Sequence, residues 1–254
     1  FEAALFAPEA HRETLFALIA LNAELARIPE TVSEPMLGEI RLQWWVEAVE
    51  DEFEQRGAPG HEIIEALSTP IRSEKLPRDL LIRLIDARRC TLSDEASLGG
   101  LKTFIADTGG VLAALQIAAL GGAEAAQAVA AKAGWTEGAG RLIGALPALY
   151  ANGAAPSPLQ IAGAEAVQQG APTPELTKAI KGLATEGLQY LADARRDTPT
   201  IPRTCRAPLL SVRGEERRLI AILNASDQAI FQTGAVAPVR EKVSLLSRAF
   251  RGRF

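Results

Sequence analysis

The chain has 254 residues, of which 48% are hydrophobic and only 5% aromatic, and its formal net charge is −4. This length can bury a substantial core, and the mild negative charge provides no general attraction to nucleic acid, so we expect no nucleic-acid partner. Two histidines and two widely separated cysteines leave little room for a histidine-based metal site or a serine–histidine triad. No apolar run reaches the roughly 18 residues that a membrane-spanning helix needs.

Apolar residues recur at helical rather than alternating spacing along the chain. The stripe over 15–25 predicts a first helix that Pro29 ends, because proline cannot continue a helix interior. Ser33 is a plausible N-cap for a second helix, with Pro35 in its first turn, and this helix is predicted to run to about Gln55.

Segments that contain proline or glycine separate the remaining elements, and no segment shows strand-like alternation with hairpin turns. Further helices are predicted over 61–68, 77–92, 97–120, 123–150, 158–169, 174–196, 203–211, 214–231 and 239–250. The sequence therefore predicts a single all-α domain over 1–254, built from about ten helices.

Ordered short segments along the chain carry a family resemblance. Residues 12–18 read RETLFAL, 22–26 read NAELA and 33–45 read SEPMLGEIRLQWW, and 86–88, 108–109, 140–143 and 190–196 follow in a matching order. This set resembles the squalene/phytoene synthase family. It is similar to a branch that contains bacterial proteins labelled phytoene synthase and a mitochondrial assembly factor for respiratory complex I. The resemblance implies an all-α prenyl-synthase helical bundle whose central cavity holds long isoprenoid chains in the enzymes.

The family's enzymes carry two D-x-x-x-D motifs on facing helices, since carboxylates at i and i+4 share a helix face and can hold the Mg²⁺ that assists loss of diphosphate. The resemblance places the first motif at 26–30, where Glu30 is the one carboxylate and Arg27 adds a positive charge. It places the second at 145–149, which reads ALPAL and contains Pro147. The pattern indicates a diphosphate site without its metal ligands, and we expect no cofactor and no catalytic residues.

One intact D-x-x-x-D occurs at 193–197, and we interpret it as a solvated helix end with Arg–Asp pairing. Other charged residues fall near the first motif on the first two helices, and one more falls near the cavity by family position. These candidate cavity-mouth residues are Glu24, Arg27, Glu30, Glu39, Arg41, Glu47, Asp51 and Arg141. They form either an ion-pair network that ties helices together or a polar mouth for an anionic head group or a partner.

The C-terminal segment has an amphipathic pattern, with an apolar stripe through Val243, Leu246 and Phe250. Its basic residues are Arg240, Lys242, Arg248, Arg251 and Arg253. Such a segment either makes a peripheral contact with anionic lipid or a partner, or docks on its own domain with solvated arginines.

Three hypotheses follow. The first is a pseudoenzyme of this family, an assembly or lipid- and isoprenoid-binding factor near a membrane, with a membrane-protein client and a role in complex I assembly implied by the resemblance. The second is a prenyl transferase that joins isoprenoid diphosphates with Mg²⁺ held by atypical carboxylates such as Glu24, Glu30, Glu47 and Asp51. The third is a simple isoprenoid or quinone carrier. We expect a cytoplasmic or peripheral inner-membrane location, and a mitochondrial matrix location also fits a chain that begins at Phe1.

Overall fold

The computed structural model describes residues 2–57, 60–92, 98–151, 173–226 and 230, and the regular elements in these ranges are all helical. The all-α prediction is therefore confirmed. The α-helices of these ranges are α1 (Glu9–Thr31), α2 (Pro35–Phe53), α3 (Glu62–Arg72), α4 (Arg78–Asp86), α5 (Leu98–Ile105), α6 (Val111–Ala119), α7 (Glu124–Ala151), α8 (Pro174–Arg196) and α9 (Val212–Asn224). None of them combines the length and apolar character that crossing a membrane requires.

Prolines end these helices less sharply than the sequence predicts. The first helix continues through Pro29 to Thr31, whose hydroxyl donates a hydrogen bond of 3.1 Å to the carbonyl of Ile28. Similarly, α3 contains the buried Pro70 and reaches Arg72, beyond the predicted end at 68. A proline in the last turn of a helix removes one backbone hydrogen bond and crowds the carbonyl four residues earlier, and the tertiary burial of these turns offsets that cost.

The predicted helices over 77–92 and 97–120 each change type along their length. After α4 the chain continues as a 3₁₀ turn over Ala87–Thr91. Between α5 and α6 it forms a π-helical turn over Ala106–Gly110. π-Helical turns often occur at functional sites, because the inserted residue changes the direction of the neighbouring side chains.

The predictions for the C-terminal half are partly wrong in detail. Residues 203–211 form two short 3₁₀ segments, Arg203–Cys205 and Ala207–Ser211, because proline at 202 and 208 interrupts a regular α-helix. Helix α9 begins at Val212 and ends at Asn224, earlier than the predicted 231. The predicted helices over 158–169 and 239–250 lie outside the described residues.

Among the described residues, two large hydrophobic clusters build most of the core, and α7 contributes to both. The first is centred on α1, with Leu15, Leu18 and Leu21 fully buried, and it also includes α2, α3, α4 and α6. The second joins α5, α7, α8 and α9 around side chains such as Trp135 and Leu219. The first half of α7 packs in one cluster and its second half in the other, so this helix forms one wall of the cavity described next.

Candidate ligand-binding cavity

A cavity of about 370 Å³ lies among α1, the 3₁₀ turn after α4, the α5–α6 region, α7 and the segment before α9. This volume falls within the roughly 300–1,000 Å³ range of small-molecule sites. Its walls are formed largely by small and apolar residues, including Ile19, Leu112, Ala113 and Leu142. The arrangement can accommodate an apolar chain.

Both positions at which the resemblance places the start of a D-x-x-x-D motif contribute to this cavity. Ala26 lines it from α1 and Ala145 lines it from α7. The later motif positions differ, because Glu30 is exposed and Leu149 packs against the second hydrophobic cluster. The fold thus brings the two motif positions to one cavity, where each presents a methyl group instead of a carboxylate.

The donor set around the cavity does not fit the Mg²⁺ cluster of the family's enzymes. Among the described lining residues the one carboxylate is Glu137, whose Oε1 accepts hydrogen bonds from Arg141 Nη2 and from Ser211 Oγ at 2.9 Å. No group of three or more His, Cys, Asp or Glu side chains within the described ranges is placed to hold a metal ion. Magnesium prefers several oxygen ligands in near-octahedral geometry, which a single engaged carboxylate does not provide.

A buried arginine is the most unusual polar group of the cavity. The side chain of Arg88 is only 9% exposed, and it lines the cavity from the 3₁₀ turn after α4. Its Nη2 donates a 2.8 Å hydrogen bond to Asn22 Oδ1, its guanidinium lies 5.2 Å from the Phe104 ring centroid, and its Nε has no hydrogen-bond partner. Burial lowers the pKa of Arg88 to about 10, partly offset by the Cys90 thiol, so the group stays protonated at neutral pH.

Arg88 was not among the predicted site residues, although its position along the helix carried a signal. It follows Leu81, Leu84 and Ile85 at spacings of seven, four and three, and these three residues are fully buried. Residues at such spacings share a helix face. The adjacent Arg89 points the other way and pairs with Asp86 and Glu39. Two consecutive arginines usually indicate a solvated surface, so the burial of Arg88 was not predicted.

Part of the predicted cavity-mouth set lies at a separate, smaller hollow of about 270 Å³. Glu24 and Arg27 form an exposed pair at 3.2 Å on α1, and Arg41 of α2 donates a 2.7 Å hydrogen bond to Thr31 Oγ1. The rings of Trp44, Trp45 and His61 also line the hollow, with the Trp45 and His61 centroids 4.8 Å apart. The lining therefore combines charged and aromatic side chains.

The other predicted residues are dispersed. Glu39 pairs with Arg89, Glu47 accepts a 3.1 Å hydrogen bond from Gln43, Asp51 pairs with Arg56 at 2.7 Å, and Glu30 is exposed. Arg141 is the one member of the set that lines the 370 Å³ cavity, where it pairs with Glu137. The structure therefore distributes the eight candidates over two hollows and the surface, and their role in binding stays a prediction.

The acids of the intact D-x-x-x-D sequence do not converge. Asp193 pairs with Arg196 at 2.7 Å, and Asp197 pairs with Lys132 of α7 at 3.2 Å. Each acid therefore has its own basic partner at the end of α8, as ordinary surface ion pairs do.

The sequence model of the squalene/phytoene synthase family matches residues 1–242, and the chain belongs to that family. The chain is similar to "NADH dehydrogenase (ubiquinone) complex I, assembly factor 6" of Rattus norvegicus, at 35% identity over 119 residues, and of Mus musculus, at 34% over 119 residues. The Bos taurus protein of the same name is 35% identical over 92 residues. The rat match covers 46% of this chain and 35% of the rat protein, and the bovine match covers 36% and 27%. The predicted family and branch are confirmed.

Proposed function

We propose that this chain is a non-catalytic member of the squalene/phytoene synthase family that assists the assembly of respiratory complex I, or of a related membrane enzyme, by binding a client subunit or a lipid-like ligand. The observation that carries the proposal is the pair of alanines, Ala26 and Ala145, at the two motif positions that face one cavity. Fold and cavity persist, while the carboxylates that the chemistry needs are missing from these two positions.

Electrostatics supports this proposal. Departure of a diphosphate from an allylic carbon develops several negative charges, which require Mg²⁺ held by clustered carboxylates. The atypical ligands of the transferase alternative do not gather at the cavity: Glu24 lies at the smaller hollow, Glu30 and Glu47 are exposed, and Asp51 pairs with Arg56. A fold alone does not define an activity, so these side chains weigh more than the family membership.

The relatives provide the second support. The rat, mouse and bovine proteins to which the chain is similar are each named as a complex I assembly factor, although the matches span only 27% to 35% of their lengths. We propose by extension a membrane-protein client and a peripheral position on the membrane that carries it, in a mitochondrial matrix or on the inner face of a bacterial inner membrane. The basic segment predicted to contact the membrane, 240–253, lies outside the described residues.

A deletion experiment tests this function. The gene is removed from the organism that encodes the chain, and assembled complex I is measured on native gels together with NADH:ubiquinone oxidoreductase activity. We expect both to fall and to recover when the chain is supplied again. Unchanged complex I together with a loss of C30 or C40 isoprenoids would contradict the proposal and favour the transferase.

A further inference from the structure

The starting observation is a positive charge inside the molecule without a negative partner. Arg88 is nine-tenths buried, and the part of the chain that the structure describes supplies it with one neutral acceptor, Asn22 Oδ1, and no ion pair. Burial of an uncompensated charge is costly, and proteins normally pair such a group. The Phe104 ring offsets a part of this cost through a cation–π contact.

The nearby carboxylates cannot supply the missing charge because they are engaged elsewhere. Asp86 and Glu39 both bind Arg89 on the outer side of the same turn. At the cavity wall, Glu137 binds Arg141 and accepts a hydrogen bond from Ser211. The negative partner of the buried guanidinium must therefore come from outside the described residues.

The cavity beside this guanidinium gives the partner its shape. Arg88 and Asn22 line it together, and the Asn22 amide nitrogen is a further donor because the amide oxygen already accepts from the arginine. Apolar residues such as Leu112, Ala113 and Ala26 form much of the remaining wall. The other polar residues that line the cavity are Thr108, Gln116, Glu137, Arg141 and Ser211. A ligand with a small anionic head and an apolar tail matches both parts of the cavity.

We propose that the cavity binds an amphiphile with one anionic head group, a carboxylate or a phosphate monoester. Arg88 and Asn22 hold this head group, and the apolar tail of the ligand lies along the walls of α1, α6 and α7. A guanidinium binds either head in a planar, two-point geometry. A phosphate monoester already carries about −1.5 to −2 charge at neutral pH and a diphosphate carries more. The other cation that lines the cavity, Arg141, is paired with Glu137 and adds no uncompensated positive charge to balance the larger head group. The inference rests on the proposed function in one respect, because it takes the cavity to bind without catalysis.

The test uses the purified full chain, stripped of lipid, and measures binding of matched probes by isothermal titration calorimetry below their micelle concentrations. The alkyl arm compares dodecanoate, dodecyl phosphate and neutral dodecanol, and the isoprenoid arm compares farnesyl monophosphate with farnesol. We expect each anionic probe to bind at least about tenfold more tightly than the neutral probe with the same tail. This ratio corresponds to a difference in binding free energy of ~1.4 kcal/mol. The better of the two arms identifies the tail.

Variants locate the anchor. Arg88→Met keeps the length of the side chain and should lose the preference for anionic over neutral probes, while Arg88→Lys should retain part of it. The matched control is Arg89→Met, the neighbouring arginine outside the cavity, which should keep the full preference. Circular dichroism confirms that each variant is folded.

Equal affinity of the unmodified chain for dodecanoate and dodecanol would overturn the inference without any variant, as would a folded Arg88→Met that keeps the anionic preference. The proposed function is tested separately by complex I assembly and by diphosphate release. If the chain bound no anionic probe but complex I assembly still depended on it, only the proposed role of Arg88 as an anion anchor would be refuted. If the chain bound anionic probes and also showed sustained Mg²⁺-dependent turnover, the proposed non-catalytic function would be refuted and the anion anchor at Arg88 would stand.

Discussion

The crossing of the π-helical turn and α7 supports a sharp stability prediction at Gly134. A Cβ on Gly134 would lie 2.3 Å from the carbonyl oxygen of Gly109 and 2.5 Å from the Ala113 Cβ. Both are far inside van der Waals contact, and the Gly109 oxygen is backbone and cannot rotate away. The packing of α7 against the π-helical turn therefore requires glycine, whose side chain is a single hydrogen atom, at position 134.

We expect Gly134→Ala to destabilise the chain by about 2 kcal/mol. Overpacking a tight site costs about 3 kcal/mol at the upper end of its usual range, and the better helix propensity of alanine returns about 1 kcal/mol. The matched control is Gly182→Ala in α8, where a Cβ would meet no atom within 4 Å. This control should stabilise the chain by up to about 1 kcal/mol, since only the propensity gain applies.

Urea denaturation followed by circular dichroism measures both variants against the unmodified chain, with the midpoint shift interpreted at constant slope. The reasoning would be refuted if Gly134→Ala were as stable as the unmodified chain, or if both glycine variants shifted the midpoint in the same direction. A larger loss than expected would mean that the α6–α7 contact cannot open at all.

Two further predictions concern carboxylates. Glu52→Gln should lower the free energy of unfolding by about 1–3 kcal/mol, because its buried carboxylate accepts hydrogen bonds of 2.6 Å from Ser68 and 2.7 Å from Arg72; urea denaturation would show no loss if these bonds were unimportant. Glu215 and Glu216 should respond to pH in opposite directions. Burial raises the pKa of Glu215 above its ordinary 4.5, so its contribution to stability is lost as pH rises through the raised value. Burial also acts to raise the pKa of Glu216, but the hydrogen bond and charge of Arg195, together with the charges of Arg213 and Arg217, outweigh burial and lower the pKa. The contribution of Glu216 to stability is therefore lost as pH falls through the lowered value. Unfolding curves between pH 3 and 7 should lose the first dependence in Glu215→Gln and the second in Glu216→Gln; identical curves for both variants would contradict the assignment.

The helical class was predictable because apolar residues recur at helical spacing in the sequence, and most described helices after α1 start within two residues of the predicted position. The N-cap of α2 is Glu34, one residue after the predicted Ser33. Helix ends were less predictable. Pro29 and Pro70 lie within the last turns of α1 and α3, where tertiary burial outweighs the local preference of proline. The π-helical turn at Ala106–Gly110 was not predicted, and its Gly109 lies close to Gly134 of α7, a contact that helical spacing does not reveal.

The site was predictable in one part and not in another. The resemblance directed attention to 26–30 and 145–149, and the first residue of each segment lines the cavity. It did not reveal Arg88, because whether a charged residue is buried depends on the helix that covers it. Charged residues near the first motif, such as Glu39 and Asp51, found surface partners that lie far away in sequence or just outside the helix, and spacing alone could not foresee these pairs.

The most direct test of the account is the reaction itself. The purified chain is incubated with farnesyl or geranylgeranyl diphosphate and Mg²⁺, and diphosphate release and C30 or C40 products are measured beside an active synthase of the same family. The account predicts no Mg²⁺-dependent turnover from a folded, helical chain. Sustained turnover that Glu30→Ala or Asp51→Ala abolishes would contradict it and would place the metal on ligands other than the two lost motifs.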